Sequence, residues 1–205
     1  MNGENVIMIK KKILFVIESL GCGGAEKSLI SLLSSLDKER YDLSIWMMYP
    51  KGAFLSFLPN DVNVIKQPKY NVFESMLLYL SSILYSVIWR LNKKVGKSEY
   101  WGETYYKSRG WAIKVPKGKW DVVFAYHQGL VTYVVADKFH GCKKVGWVNA
   151  DIFKTGYSIK YNSKFYRKID CICPVSDILH ELMDDRMPEF SSKYHTVWDI
   201  IKIGR

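Results

Sequence analysis

The chain has 205 residues, 48% hydrophobic and 24% charged, which excludes a disordered tail, a collagen-like fibre and a disulfide-stapled mini-protein. Its 30 Lys and Arg against 20 Asp and Glu leave a formal charge of +10, an excess that favours anionic partners: nucleic acid, phosphorylated ligands or an acidic membrane surface. The four cysteines, Cys22, Cys142, Cys171 and Cys173, are too few and too irregularly spaced for a secreted disulfide framework. No His/Cys cluster has zinc spacing.

Lys10-Lys11-Lys12 precedes an apolar run at 13–17 that is too short for a signal-peptide core and ends at Glu18, so a cytoplasmic chain is expected. Continuous apolarity of Ile13-Leu14-Phe15-Val16-Ile17 predicts a strand buried on both faces. Gly21-Cys22-Gly23-Gly24 then leads into a predicted helix over 25–36. Leu29, Leu32, Leu33 and Leu36 form its apolar side, with Lys27, Ser28, Ser31 and Ser35 facing away. Strands are predicted at 43–48 and 62–65. Residues 72–91 are predicted to form a long apolar helix, followed by a polar, aromatic and basic stretch to 120. Regular alternation then returns, with strands at 121–126, 144–148, 170–175 and 194–198 and helices at 130–138 and 177–183. Such alternation predicts an α/β fold with a mainly parallel sheet flanked by helices. Cys171 and Cys173 are expected on one face of their strand as small buried hydrophobes.

Ligands of open α/β sheets bind at the carboxyl ends of the strands. There this sequence places the glycine turn, His127-Gln128-Gly129, Asn149-Ala150-Asp151 and Ser176-Asp177. Glycines at a strand-to-helix turn let backbone N–H groups approach a phosphate. The dinucleotide fingerprint is incomplete, however, and Met47, Met48 and Tyr49 stand where a ribose-binding acid belongs. No G-K-[ST] is present for a P-loop. His127 is either an acid/base or a structural strand-end residue. Asp151 either faces the site or caps a turn, and Ser176 reads as a helix N-cap.

From Ser75 to Trp89 there is no charge. Fifteen helical residues reach roughly 22 Å, short of a ~30 Å hydrocarbon core, so the helix is expected either to pack on the sheet or to lie in a membrane interface. Residues 66–119 hold 11 Lys/Arg and three acids, a net +8 of the chain's +10, and Lys93, Lys94 and Lys97 follow the apolar segment directly. That placement suits an anionic leaflet. No recognisable nucleic-acid module is present, and nucleic acid is not expected as a partner.

Lys12 to Ile17, then Gly21 and Gly23-Gly24-Ala25-Glu26-Lys27-Ser28-Leu29, resemble the opening of family 4 glycosyltransferases of the GT-B fold, with their G-G-A-E-[RK] turn. Further blocks are similar in order. They are Asp121 to Tyr126 with Gly129, Thr132-Tyr133 and Ala136-Asp137-Lys138; Lys144 to Asp151 against W-x-H-x-D; Asp170 to Ser176 against D-x-[IV]-x-x-V-S; and Val197 to Ile201 at the domain exit. The resemblance implies a single Rossmann-like, acceptor-side N-terminal domain over 1–205, with a basic and apolar insertion at about 66–119. It implies transfer of a sugar with retention from a nucleotide-sugar substrate to a polysaccharide or lipid-linked acceptor at the inner membrane face, with no bound metal and no cofactor. The family's second, donor-binding domain carries an E-x7-E motif that this chain lacks before Arg205, so that domain is expected in cis or in trans, and 1–205 alone is expected to be inactive.

Carried over by position, Gly23 and Gly24 would line the donor phosphates, Asn149 and Asp151 would face the transfer centre, and His127 and Gln128 would sit on the acceptor side. Asn149 replaces the family's histidine, Gln128 a common glutamate and Asp199 an expected asparagine. An amide cannot shuttle a proton. The alternative implied is a catalytically inactive, membrane-associated binding module.

Overall fold

A computed structural model of the chain describes residues 9–94 and 101–200; Lys97, Ile201 and Arg205 lie outside them. Among the described residues, six parallel strands form one sheet: β1 (Lys11–Ile17), β2 (Tyr41–Met47), β3 (Asn63–Val64), β4 (Val122–Ala125), β5 (Lys143–Val148) and β6 (Cys171–Pro174). Their spatial order is β3-β2-β1-β4-β5-β6. The predicted two-sided burial of β1 is present. Leu14 and Val16 enter one core cluster while Ile13, Phe15 and Ile17 enter the other, as the two-residue period of a strand requires.

Helix α1 (Gly24–Ser35) joins β1 to β2 and seals one face with Leu29 and Leu33. The other face carries α4 (Leu130–Lys138), where Leu130 to Ala136 are all buried, and α5 (Ile159–Tyr166), with Phe165 and Tyr166 against the same cluster. Helix α6 (Asp177–Arg186) follows β6 and adds Leu179 and Met183 to that cluster. The Ser176 hydroxyl accepts from the Leu179 N–H at 3.2 Å, so the expected N-cap is formed.

Two local expectations change, and one of two alternatives drops out for a third segment. Ser28 and Ser31 do not face solvent; both are buried, Ser28 because its hydroxyl joins Tyr126 and Asp199. The strand expected at 194–198 is an isolated bridge of Tyr194 to Ile172 beside β6. His195 donates to the Ile172 carbonyl and Val197 to that of Pro174, but Pro174 has no N–H to return a bond, so no ladder develops. Finally, the apolar helix α2 (Val72–Lys94) packs on α3 (Trp101–Arg109) rather than on the sheet.

Helix α3 is itself built into the fold. Tyr106 donates to Asp137 of α4 at 2.9 Å and stacks edge-on against Phe165, and the fully buried Glu103 accepts from the Ser158 N–H at 2.6 Å. The stretch expected as an insertion therefore supplies part of the core.

Candidate active site

The strand order reverses between β1 and β4, so the connections leaving these neighbours run to opposite faces and open a crevice at their carboxyl ends. A cleft of about 350 Å³ lies there. Glu18 and Ser19 come from the end of β1, Glu26 from the first turn of α1, and His127 and Gln128 from the end of β4; Trp101 of α3 and Tyr157 close its sides.

Electrostatics in the cleft are set by burial. Dehydration of the Glu18 carboxyl, with Glu26 close by, raises its pKa from 4.5 to about 7. Burial lowers the His127 pKa below its ordinary 6.5, so the imidazole is neutral at pH 7. Its Nδ1 lies 3.0 Å from the Gln128 carbonyl oxygen, which only accepts; Nδ1 therefore carries the proton and Nε2 the lone pair. Gly129, at φ 76°, follows directly as the N-cap of α4, a left-handed conformation in which a side chain would be strained.

Behind this surface the ends of β4 and β5 are tied together. The buried Gln128 accepts through Oε1 from the Asn149 N–H at 3.0 Å, and the Asn149 side-chain amide donates to the Tyr126 carbonyl at 3.3 Å. Asn149 Oδ1 is buried with no hydrogen-bond partner among the described residues. Asp151 closes a turn, accepting through Oδ1 from the N–H groups of Phe153 at 2.9 Å and Lys154 at 3.2 Å.

The structure thus brings His127 and Gln128 together on the cleft wall, with Asn149 joined to Gln128 behind it, while Asp151 is taken up by its turn. Gly23 is the N-cap of α1 and Gly24 its first residue. The Glu26 carboxylate folds back over Gly23 so closely that a Cβ there would lie 2.3 Å from Oε2. Sequence reasoning missed Glu18, Ser19, Trp101 and Tyr157 as site residues. Glu18 was accessible to the carboxyl-end rule, since it follows the first strand directly; Trp101 and Tyr157 arrive from segments with no strand signal.

Fold and cleft define a Rossmann-like α/β domain with a ligand crevice at its topological switch point. Among solved structures, the chain is similar to Alr3699/HepE of Anabaena, crystallised in complex with UDP-glucose, with a TM-score of 0.50 at 11% sequence identity. The match covers 92% of this chain and 43% of that one, so the present chain spans less than half the length of its structural neighbour. No protein-family profile and no curated protein sequence matches the chain.

Proposed function

We propose that this domain is the acceptor-side half of a nucleotide-sugar-dependent glycosyltransferase of the GT-B type. It would transfer a sugar, with retention, to a polysaccharide or lipid-linked acceptor, and it works with a donor-binding domain supplied in cis or in trans. The observation that carries the reading is the neutral, Nε2-basic His127 at the switch-point cleft of a sheet whose fold is shared with a UDP-glucose-holding protein. In the reaction the bond from the sugar's anomeric carbon to the nucleotide diphosphate breaks and one to the acceptor hydroxyl forms. His127 Nε2 is the group suited to take the hydroxyl proton.

Gly23 and Gly24 would meet the donor phosphates through backbone N–H groups at the start of α1. Glu26 has the wrong charge for that neighbour and must swing out of the turn as phosphate arrives. Glu18, protonated over part of the neutral range, can donate to a sugar hydroxyl or phosphate oxygen without repelling it. Asn149 and Asp151 would act one layer back, holding the β5 loop that borders the transfer centre.

Titration of the chain with UDP-glucose, followed through backbone amide resonances, tests the reading. Weak binding that shifts Gly23, Gly24, His127 and Gln128 is expected; saturation with no change at these positions would overturn it. Sugar transfer by the chain alone would contradict the half-enzyme reading. Asn149, standing where the resembled enzymes have a histidine, favours one rival, an inactive membrane-associated binding module. That rival predicts no transfer even when a donor-binding domain is joined.

A further inference from the structure

Helix α2 is built inside out. Val72, Met76, Leu80, Ile83, Val87 and Leu91 recur at helical spacing and are all between 46% and 89% exposed. The opposite side, which rests on α3, carries the buried Ser81 and the ring of Tyr85 against Tyr105 at 5.6 Å. An apolar stripe of this extent turned to water is a binding surface.

We infer that this stripe lies in the interfacial plane of an anionic lipid bilayer, and that α2 is the membrane-docking element of the domain. Three features fit a lipid surface, and the last two, which share Arg90 and Lys93, select it over a protein partner. First, the serine hydroxyls of the helix need no water as a partner for their protons: Ser75 donates to the carbonyl of Asn71, just before the helix, and Ser81, Ser82 and Ser86 donate to carbonyls within it, at 2.6–2.9 Å. Their dehydration therefore leaves no donor unpaired. Second, the charges suit a negative surface. Glu74, the only acid on α2, is neutralised by Lys114 at 2.6 Å, while Arg90 and Lys93 are exposed at the other end. Third, Val87 and Leu91 with Arg90 and Lys93 line a shallow groove of about 530 Å³, where an apolar wall meets two cations, matching an acyl chain beneath an anionic headgroup.

The expectation that α2 is too short to span does not hold for the element as formed. Its 23 residues reach about 34 Å, and Val72–Leu91 is long and apolar enough to cross a bilayer. What favours the in-plane arrangement is the other side of the helix. Crossing would strip Ser81 and Tyr85 from α3 and break the Glu74–Lys114 pair, whereas lying flat keeps every one of these contacts. This inference stands apart from the sugar-transfer reading, and either can fail alone.

Flotation of the full chain with phosphatidylcholine vesicles, with and without phosphatidylglycerol, tests it. The chain is expected to float with the anionic vesicles and to be released by high salt. Arg90→Glu with Lys93→Glu should lower that partition by roughly tenfold or more. Leu80→Asp with Ile83→Asp should abolish it while the domain keeps a cooperative circular dichroism melt, since both side chains are half exposed and outside the two core clusters. Absence of flotation with either vesicle, or flotation untouched by the Asp pair, would overturn the inference. So would a concentration-dependent dimer that the Asp pair abolishes without any vesicle binding, which would assign the stripe to a second copy of the chain.

Discussion

The Glu18 carboxyl leaves the end of β1 and enters a cleft that already holds Glu26, on the dehydrated side of the sheet edge. Its pKa, about 7 against 4.5 unperturbed, makes folding proton-linked. Between those two values the folded chain holds more of this proton than the unfolded chain does, so stability falls as pH rises through the window and levels off above it. The slope is at most about 1.4 kcal/mol per pH unit. His127, with a lowered pKa, works in the opposite direction below its ordinary 6.5. The clean measurement is therefore a difference. Urea midpoints of the wild type and Glu18→Gln, taken from pH 5 to pH 8, should diverge as the wild type loses stability toward pH 7. Parallel curves would mean that Glu18 titrates as an exposed carboxylate. The sequence shows Glu18 only as the residue that ends an apolar run, because a pKa depends on what the fold brings beside the group.

Among the elements, α6 offers the plainest link from one residue to a helix. Ser176 is extended at φ −155°, and its hydroxyl takes an N–H that the first turn would otherwise leave without a partner. Ser176→Ala should cost about 1 kcal/mol and Ser176→Asp close to nothing, read from chemical denaturation; equal losses in both would make the cap irrelevant. Such caps are legible because the signal is local, as are the apolar runs of β1 and β2 and the helix at 130–138, which forms over Leu130–Lys138. Long-range partners are not legible. Ser28 and Ser31 look solvent-facing by periodicity, yet Ser28 is buried because Tyr126 and Asp199 come from 98 and 171 residues away to meet its hydroxyl at 2.9 and 2.7 Å. Segment 194–198 has strand-like composition but lies beside a proline that cannot complete the ladder. The cleft was half legible for the same reason. His127 and Gln128 follow from strand ends, whereas Trp101 depends on how α3 docks.

Across the whole molecule, cohesion is uneven. β1, β4 and β5 sit inside the sheet, hydrogen-bonded on both edges, with apolar clusters above and below. α2 is attached mainly through α3, and its exposed stripe contributes nothing to either cluster. Stability against local opening should follow that division, because a unit opens at the cost of the contacts it alone makes. Amide hydrogen exchange in solution should thus show the slowest exchange in Leu14 to Val16, Val123 to Ala125 and Gly146 to Val148, and exchange in α2 faster by at least tenfold. Added anionic vesicles should slow α2 selectively, leaving the central strands at their solution rates, because lipid would supply the burial that the protein withholds from that helix. Protection of α2 equal to that of β1 in the absence of lipid would mean that the helix belongs to the global folding unit and that its apolar face is tolerated in water without a partner.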